Sequence, residues 1–185
     1  MTDHEAPIPA DILDYWFSPA VREKWFEANA AFDAELKQRF APALALARSG
    51  ALASWPDTPD GALALIVLLD QISRNIHRDA PDAFAGDAVA LRTAEDAIAR
   101  GFAAGYDAGQ RYALYMPFMH SERLEDQERG VELFTGLGQE KALDYMRRHR
   151  DIIARFGRFP HRNAILGRTS TPEELGFLEQ PGSRF

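Results

Sequence analysis

The chain has 185 residues, 46% hydrophobic and 26% charged, which suits a folded protein with a real core and excludes a disordered one. The formal net charge of −7 argues against nucleic acid and against an anionic membrane surface as partners. With no cysteine, disulfides, thiolate catalysis and Cys-based metal centres are excluded.

The N-terminal MTDHEAPIPADI lacks the basic start and apolar run of a signal peptide. The longest apolar run, Ala62 to Leu69, falls far short of the ~20 residues of a membrane span, so a cytoplasmic protein is expected. Residues 1–9 read as a flexible tail, with Pro7 and Pro9 opposing a helix, and residues 10–185 as a single all-helical domain. Ile12, Leu13, Trp16 and Phe17 have helical spacing, ended by Ser18-Pro19. A second pattern runs from Val21 through Trp25, Phe26, Phe32, Leu36, Phe40 and Leu44, with a break near 28–31 where Asn29 or Asp33 would cap. Pro42 predicts a kink.

The turn-rich stretch 55–61 leads into ALALIVLLDQISRNI, apolar on every side for two turns and therefore the expected central helix. Asp57 or Thr58 would cap it. A loop over 79–87 precedes a helix over 88–100 with Asp87 as its N-cap, stopped by Gly101. An aromatic helix over 110–119 contains Pro117, which should bend or end it. Helices over 124–137 and 139–156 follow, then a short one over 161–167 and a last one over 172–178 capped by Thr171. No segment alternates with period two. The reading is all-α, with about eight helices in antiparallel pairs forming an array or an irregular bundle.

Three places bear candidate chemistry. Asp70 follows eight apolar residues and has Arg74 one turn on, with Gln71 and Asn75 on the neighbouring face: a buried ion pair or one wall of a polar pocket. His120, Ser121 and Glu122 end the aromatic helix, where an imidazole beside a carboxylate suits acid/base work, although Ser121 and Glu122 also suit the start of the next helix. The third is 155–171, RFGRFPHRNAILGRTST, a cationic stretch in an acidic chain, with Arg155, Arg158, His161, Arg162, Asn163 and Arg168. Arg158, His161 and Arg162 would gather at a helix start and meet an anion, or answer internal acids such as Asp70, Asp87, Glu122 and Asp144. His149 falls on the apolar side of its helix with Met146 and Ile153. His120, Glu122, His149 and His161 lack any metal-binding spacing, so neither metal nor other cofactor is expected.

LDQISRNI, YMPFMHSE and RFGRFPHRNAILGRTSTPEELGFL resemble the signatures of the bacterial domain-of-unknown-function family 924, over about residues 11–178. The resemblance implies a tetratricopeptide-repeat-like all-α fold. It marks Asp70, Gln71, Arg74, Asn75, His120, Ser121, Glu122, His149, Arg158, His161, Arg162 and Asn163 as motif positions, without roles. Ser73 stands where the family pattern has proline.

The ligand-binding set expected is Asp70, Arg74, Asn75, His120, Glu122, His149, Arg158, His161, Arg162 and Asn163, holding a small anionic ligand or a peptide carboxylate. The alternatives are an enzyme, a hydrolase or transferase with His120 or His161 as acid/base and Arg158 and Arg162 on an anion, and a protein-interaction scaffold. Exposed aromatics would permit a homodimer.

Overall fold

The computed structural model describes residues 7–25 and 27–183, so most of the expected tail, along with Phe26, lies outside the described residues. Every regular element among the described residues is helical: α1 Pro9–Trp16, α2 Pro19–Arg22, α3 Ala30–Ser49, α4 Pro59–Ile66, α5 Ser73–Ile76, α6 Asp87–Ala99, α7 Ala108–His120, α8 Leu124–Leu137, α9 Glu140–Phe156 and α10 Pro172–Leu178. One-turn 3-10 segments join several of them. None of these helices is long and apolar enough to cross a membrane. The chain divides into two compact units, Met1–Arg78 with Asp82–Pro117, and Asp79–Pro81 with Phe118–Phe185.

The first unit is built round the apolar run. From Ala62 to Leu69 no side chain is more than 4% exposed. Burying each large aliphatic side chain there contributes about 1.5–3 kcal/mol. α4 packs against α1 and α6, while α3 lies along α5 and the turn before it. The expected central helix is not uniform: Val67–Ile72 is a π-helical stretch between α4 and α5, and it carries Asp70. Thr58 caps α4, its hydroxyl accepting from Gly61 N–H at 3.1 Å. Asn29 caps α3 by accepting from Phe32 N–H at 3.0 Å, which places the break before α3 where the sequence puts it.

Several local expectations are corrected. Pro9 is the first residue of α1, a position whose N–H has no helical partner to lose. Pro117 does not end its helix: it lies inside α7, as Pro42 lies inside α3. Each forgoes one backbone hydrogen bond, and the buried neighbours Phe40, Ala43 and Leu44, or Met116, Phe118 and Met119, offset that loss. Asp87 is the first helical residue of α6 and not its cap. The segment 161–167 is no helix: a single 3-10 turn, Pro160–Arg162, is followed by turns up to Gly167.

In the second unit α8 and α9 pack along each other across a two-residue link, which makes them an antiparallel hairpin. Its buried side chains include Phe134, Met146, Ile152 and Ile153, and Phe159 beyond its end is buried too. Phe156 and Phe177 meet with ring centroids 5.1 Å apart and tie α10 to α9.

Two glycines test this packing. A Cβ on Gly61 would sit 2.0 Å from the Trp55 carbonyl oxygen, whereas one on Gly136, inside α8, meets nothing within 4 Å. Gly61→Ala should therefore cost about 1–3 kcal/mol by overpacking. Gly136→Ala should be neutral or stabilise by up to about 1 kcal/mol through helix propensity. Urea unfolding of both variants checks this, and equal midpoints would contradict the close approach at Trp55.

Candidate functional site

The cationic segment begins where α9 ends. Gly157, at φ 68°, takes the left-handed cap that lets the chain leave the helix, and its N–H closes on Ile153 O at 2.8 Å. Arg158 is thereby aimed at α10. Its Nε donates to Glu174 Oε1 at 2.6 Å and its Nη2 to Glu174 Oε2 at 2.8 Å, with a further bond to Thr169 O at 2.9 Å. Glu174 is also half of a capping box: its Oε2 accepts from Thr171 N–H at 2.7 Å, while Thr171 Oγ1 accepts from Glu174 N–H. The Arg158 fork, foremost, holds the Glu174 carboxyl down to about 2. The Arg155–Glu173 pair beside it is half exposed and of little energetic consequence.

Glu122 is the second anchor. Its Oε1 accepts from Phe159 N–H at 2.8 Å and from Arg168 Nη2 at 2.9 Å, and its Oε2 from Arg168 Nη1 at 2.7 Å. Arg168 reaches on to Phe159 O at 3.2 Å. Burial alone would push the Glu122 carboxyl up, but Arg168 and the Phe159 N–H outweigh it, with help from Arg162, and keep it ionised. Asn163, fully buried, donates its side-chain N–H to Ser170 Oγ at 3.1 Å, and its backbone carbonyl accepts from the Arg168 backbone N–H at 2.8 Å, so it braces the turn that presents Arg168.

Between these anchors lies Phe159, with no exposed surface. The His149 ring is 5.6 Å from the Phe159 ring, the His161 ring 5.5 Å, and the Arg162 guanidinium carbon 4.4 Å from its centroid. His149 Nδ1 lies 2.8 Å from the Tyr145 carbonyl oxygen, which can only accept, so the proton of the neutral ring is on Nδ1. Burial pushes His149 down to about 3; the Tyr145 bond opposes this, and His120, Arg162 and His161 add to it. Burial, then Arg162, pushes His161 down to about 4, with Glu122 opposing and His120 and Arg168 adding. Both imidazoles are thus neutral near pH 7, in a field made positive by Arg162. His120, His161 and Arg168 are half-buried and keep an edge in solvent, while Arg162 and His149 are buried. Among the described residues no group of three His, Asp or Glu side chains is arranged to hold a metal ion.

Of the residues expected in the site, His120, Glu122, His149, Arg158, His161, Arg162 and Asn163 belong to the second unit, and Asp70, Arg74 and Asn75 to the first. Arg74 Nη1 donates to Asp70 Oδ1 at 3.1 Å, and its two terminal nitrogens grip both oxygens of Asp87 at 2.9 Å. Burial opposes the charge on Arg74, but Asp70 and Asp87 raise its pKa above the ordinary arginine value. Asn75 donates to Asp33 at 2.8 Å, beside Arg78, whose Nε reaches the same carboxylate at 2.6 Å. Ser121 donates to Asp126 at 2.6 Å, and Gln127 bonds the Met119 and Ser121 carbonyls, closing the end of α7. Sequence reasoning did not reach Glu174, Phe159 or Gln127 as structural partners. The Thr171-x-x-Glu174 spacing was the available signal for the first.

The histidines make stability depend on pH. Each has a folded pKa below its unfolded value near 6.5. The stability they contribute is complete above 6.5 and lost as pH falls from 6.5 toward 4, with a slope approaching ~1.4 kcal/mol per pH unit for each proton taken up on unfolding. Denaturant unfolding at pH 7.5, 6.5, 5.5 and 4.5 should show this decline. His161→Gln should flatten it, and a wild-type profile flat over that range would contradict the burial of neutral imidazoles.

A search among curated proteins finds none that matches. The solved structure of a protein of unknown function from Agrobacterium tumefaciens is similar throughout, with 42% identity, a TM-score of 0.88 and coverage of 92% of this chain and 96% of that one. The family model described as a bacterial protein of unknown function (DUF924) matches residues 12–182. The all-α chain with the Glu122 and Arg158 clasps thus belongs to the DUF924 family.

Proposed function

We propose that the second unit binds a small anionic ligand, a phosphate group or a carboxylate including that of a peptide end, at the cluster of His120, His149, His161 and Arg162. The observation that carries this reading is the convergence of two imidazoles and a guanidinium on one buried aromatic ring, Phe159, with His120 and His161 keeping an edge in solvent. Cationic and N–H donor groups gathered in a partly desolvated place favour an anion over any other small ligand. Arg158, Glu122 and Asn163 support the site by holding its walls. Arg74 with Asp70, and Asn75 with Asp33, hold the first unit in the same manner, and the reading does not need them in the site.

An enzyme using His120 or His161 as acid/base has less support. The Arg158 fork is closed on Glu174, and an imidazole held near 4 is a weak base at neutral pH.

A ligand present at a hundred times its Kd stabilises by about 2.7 kcal/mol, or roughly 5–10 °C in Tm for a chain of this size. Thermal shift with inorganic phosphate, sulfate, citrate and acetate, matched for ionic strength with chloride, should reveal an upward shift for at least one anion. The shift should shrink in Arg162→Gln and in His161→Gln. A shift that survives both substitutions would place the ligand elsewhere, and no shift with any anion would end the reading.

A further inference from the structure

In the first unit the end of α3, the end of α5 and the turn at Asp82 and Ala83 meet at one guanidinium. Arg48, in the last turn of α3, donates from Nη1 to His77 Nε2 at 3.2 Å, and from Nη2 to Ser73 Oγ at 2.9 Å and to the Asp82 carbonyl oxygen. Ser73, with no exposed surface, donates in turn to the Asp82 and Ala83 carbonyls, at 3.2 Å each. Asp82 O also accepts from Ala85 N–H at 3.3 Å. The chain then reaches Gly86, where a Cβ would sit 2.7 Å from the Leu69 carbonyl oxygen. The knot at Arg48 therefore holds down a connection that closes on the π-helical stretch, Val67–Ile72.

An arginine can only donate, so His77 Nε2 is the acceptor and the proton of the neutral ring is on Nδ1. Nδ1 faces the Asp82 carboxylate, whose Oδ2 is 3.9 Å away, beyond hydrogen-bond reach. A second proton has one place to go, the Nε2 lone pair that Arg48 already uses. Guanidinium and proton compete for the same nitrogen. The charged groups facing the ring are Arg48 and Lys37 from α3 and Asp82 from the turn. Its neighbours in sequence, Arg74 and Arg78, bond Asp87 and Asp33. Burial, foremost, and then Arg48 hold His77 below the ordinary histidine value, with Asp82 opposing and Lys37 adding.

We propose that His77 is a proton-operated latch on the turn at Asp82 and Ala83. Neutral, the ring helps fix Arg48, and the turn is shut against α3 and α5. Protonated, it gives up Arg48 and shifts toward the Asp82 carboxylate, the acid on its other side. The guanidinium then loses one of its three anchors and gains a like charge beside it, and the turn opens locally next to the π-helical stretch. Acidification releases the latch and neutral pH resets it. The proton comes from solvent through the open edge of the half-buried ring, and no covalent bond changes. The inference concerns the first unit alone and does not depend on the anion reading.

Amide hydrogen exchange on the full chain, followed by NMR from pH 7.5 to 4.5 and corrected for the intrinsic pH dependence of exchange, reads the latch at Ala85 and the core at Leu65. Protection at Ala85 should fall as pH is lowered, approaching ~tenfold per pH unit below the His77 pKa, with Leu65 remaining the better protected of the two. His77→Gln supplies an amide oxygen that accepts from Arg48 without titrating, so Ala85 should keep its protection across the range. Arg48→Met should lower that protection already at pH 7.5 and let the His77 pKa, read from its ring nitrogen shifts, rise. The same shifts in the unaltered chain at pH 7.5 should show a proton on Nδ1 and none on Nε2. Protection at Ala85 that ignores pH, or that falls equally in His77→Gln, would overturn the latch. Equal protection at Ala85 and Leu65 at low pH would make the opening global and overturn it too. A His77 pKa unmoved in Arg48→Met would overturn the competition for Nε2.

Discussion

The second unit depends on one carboxylate. Glu122 sits just past α7 and holds Phe159 by its backbone N–H and Arg168 by both terminal nitrogens. The chain between Phe159 and Arg168 makes only one 3-10 turn and a run of turns, so it has little backbone order of its own to keep it in place. Glu122 grips both ends of that stretch. The Arg158–Glu174 pair then clamps the same stretch against α10 from the other side. These pairs are partly desolvated, and breaking such a pair is costly chiefly because it strands the surviving charge. Their effect is to set the position of Phe159 and of the three basic groups round it.

The first unit uses a related device with different parts. A single guanidinium, Arg74, bridges Asp70 on the π-helical stretch to Asp87 at the start of α6. Asp87 lies in the first turn of α6, where the helix dipole also favours a negative charge. Asp70, on the π-helical stretch, has no exposed side-chain surface, and Arg74 lies four residues on. Asp33 is gripped in turn by Asn75 and Arg78, which ties α3 to the end of the central element. Most of the motif residues of this unit are thus engaged in ion pairs or hydrogen bonds that join helices.

What was legible in the sequence follows the range of each interaction. The helical periods, the Asn29 and Thr58 caps, the Thr171–Glu174 box and the burial of the Ala62–Leu69 run all arise within one or two turns, and the residues announce them. The Asp70–Arg74 pair is of the same local kind. Arg158 with Glu174, Arg168 with Glu122 and Asn75 with Asp33 span 16, 46 and 42 residues, and nothing local distinguishes one carboxylate from another as the partner. That Pro117 does not end α7 has a related reason. A missing N–H is a local penalty, but Pro42 and Pro117 are held in their helices by apolar neighbours buried in tertiary packing. The stretch after Pro160 mixes bonds of different span, Asn163 N–H to Pro160 O, Leu166 N–H to Arg162 O and Arg168 N–H to Asn163 O, so no regular helical ladder forms.

The cationic segment carries less available charge than its composition suggests, and the difference sharpens the site. Arg155 is spent on Glu173, Arg158 on Glu174 and Arg168 on Glu122. What distinguishes Arg162 is its setting: it is buried, stacked at 4.4 Å on Phe159, and near enough to two imidazoles to help keep both neutral. A guanidinium in that position cannot relax into solvent, and its field falls on groups with protons to gain. The pairs formed by Arg158 and Arg168 hold the scaffold, and Arg162 lies against Phe159 beside the two imidazoles. That division is why the cationic stretch of an acidic chain reads first as scaffold, with three of its arginines closed on glutamates.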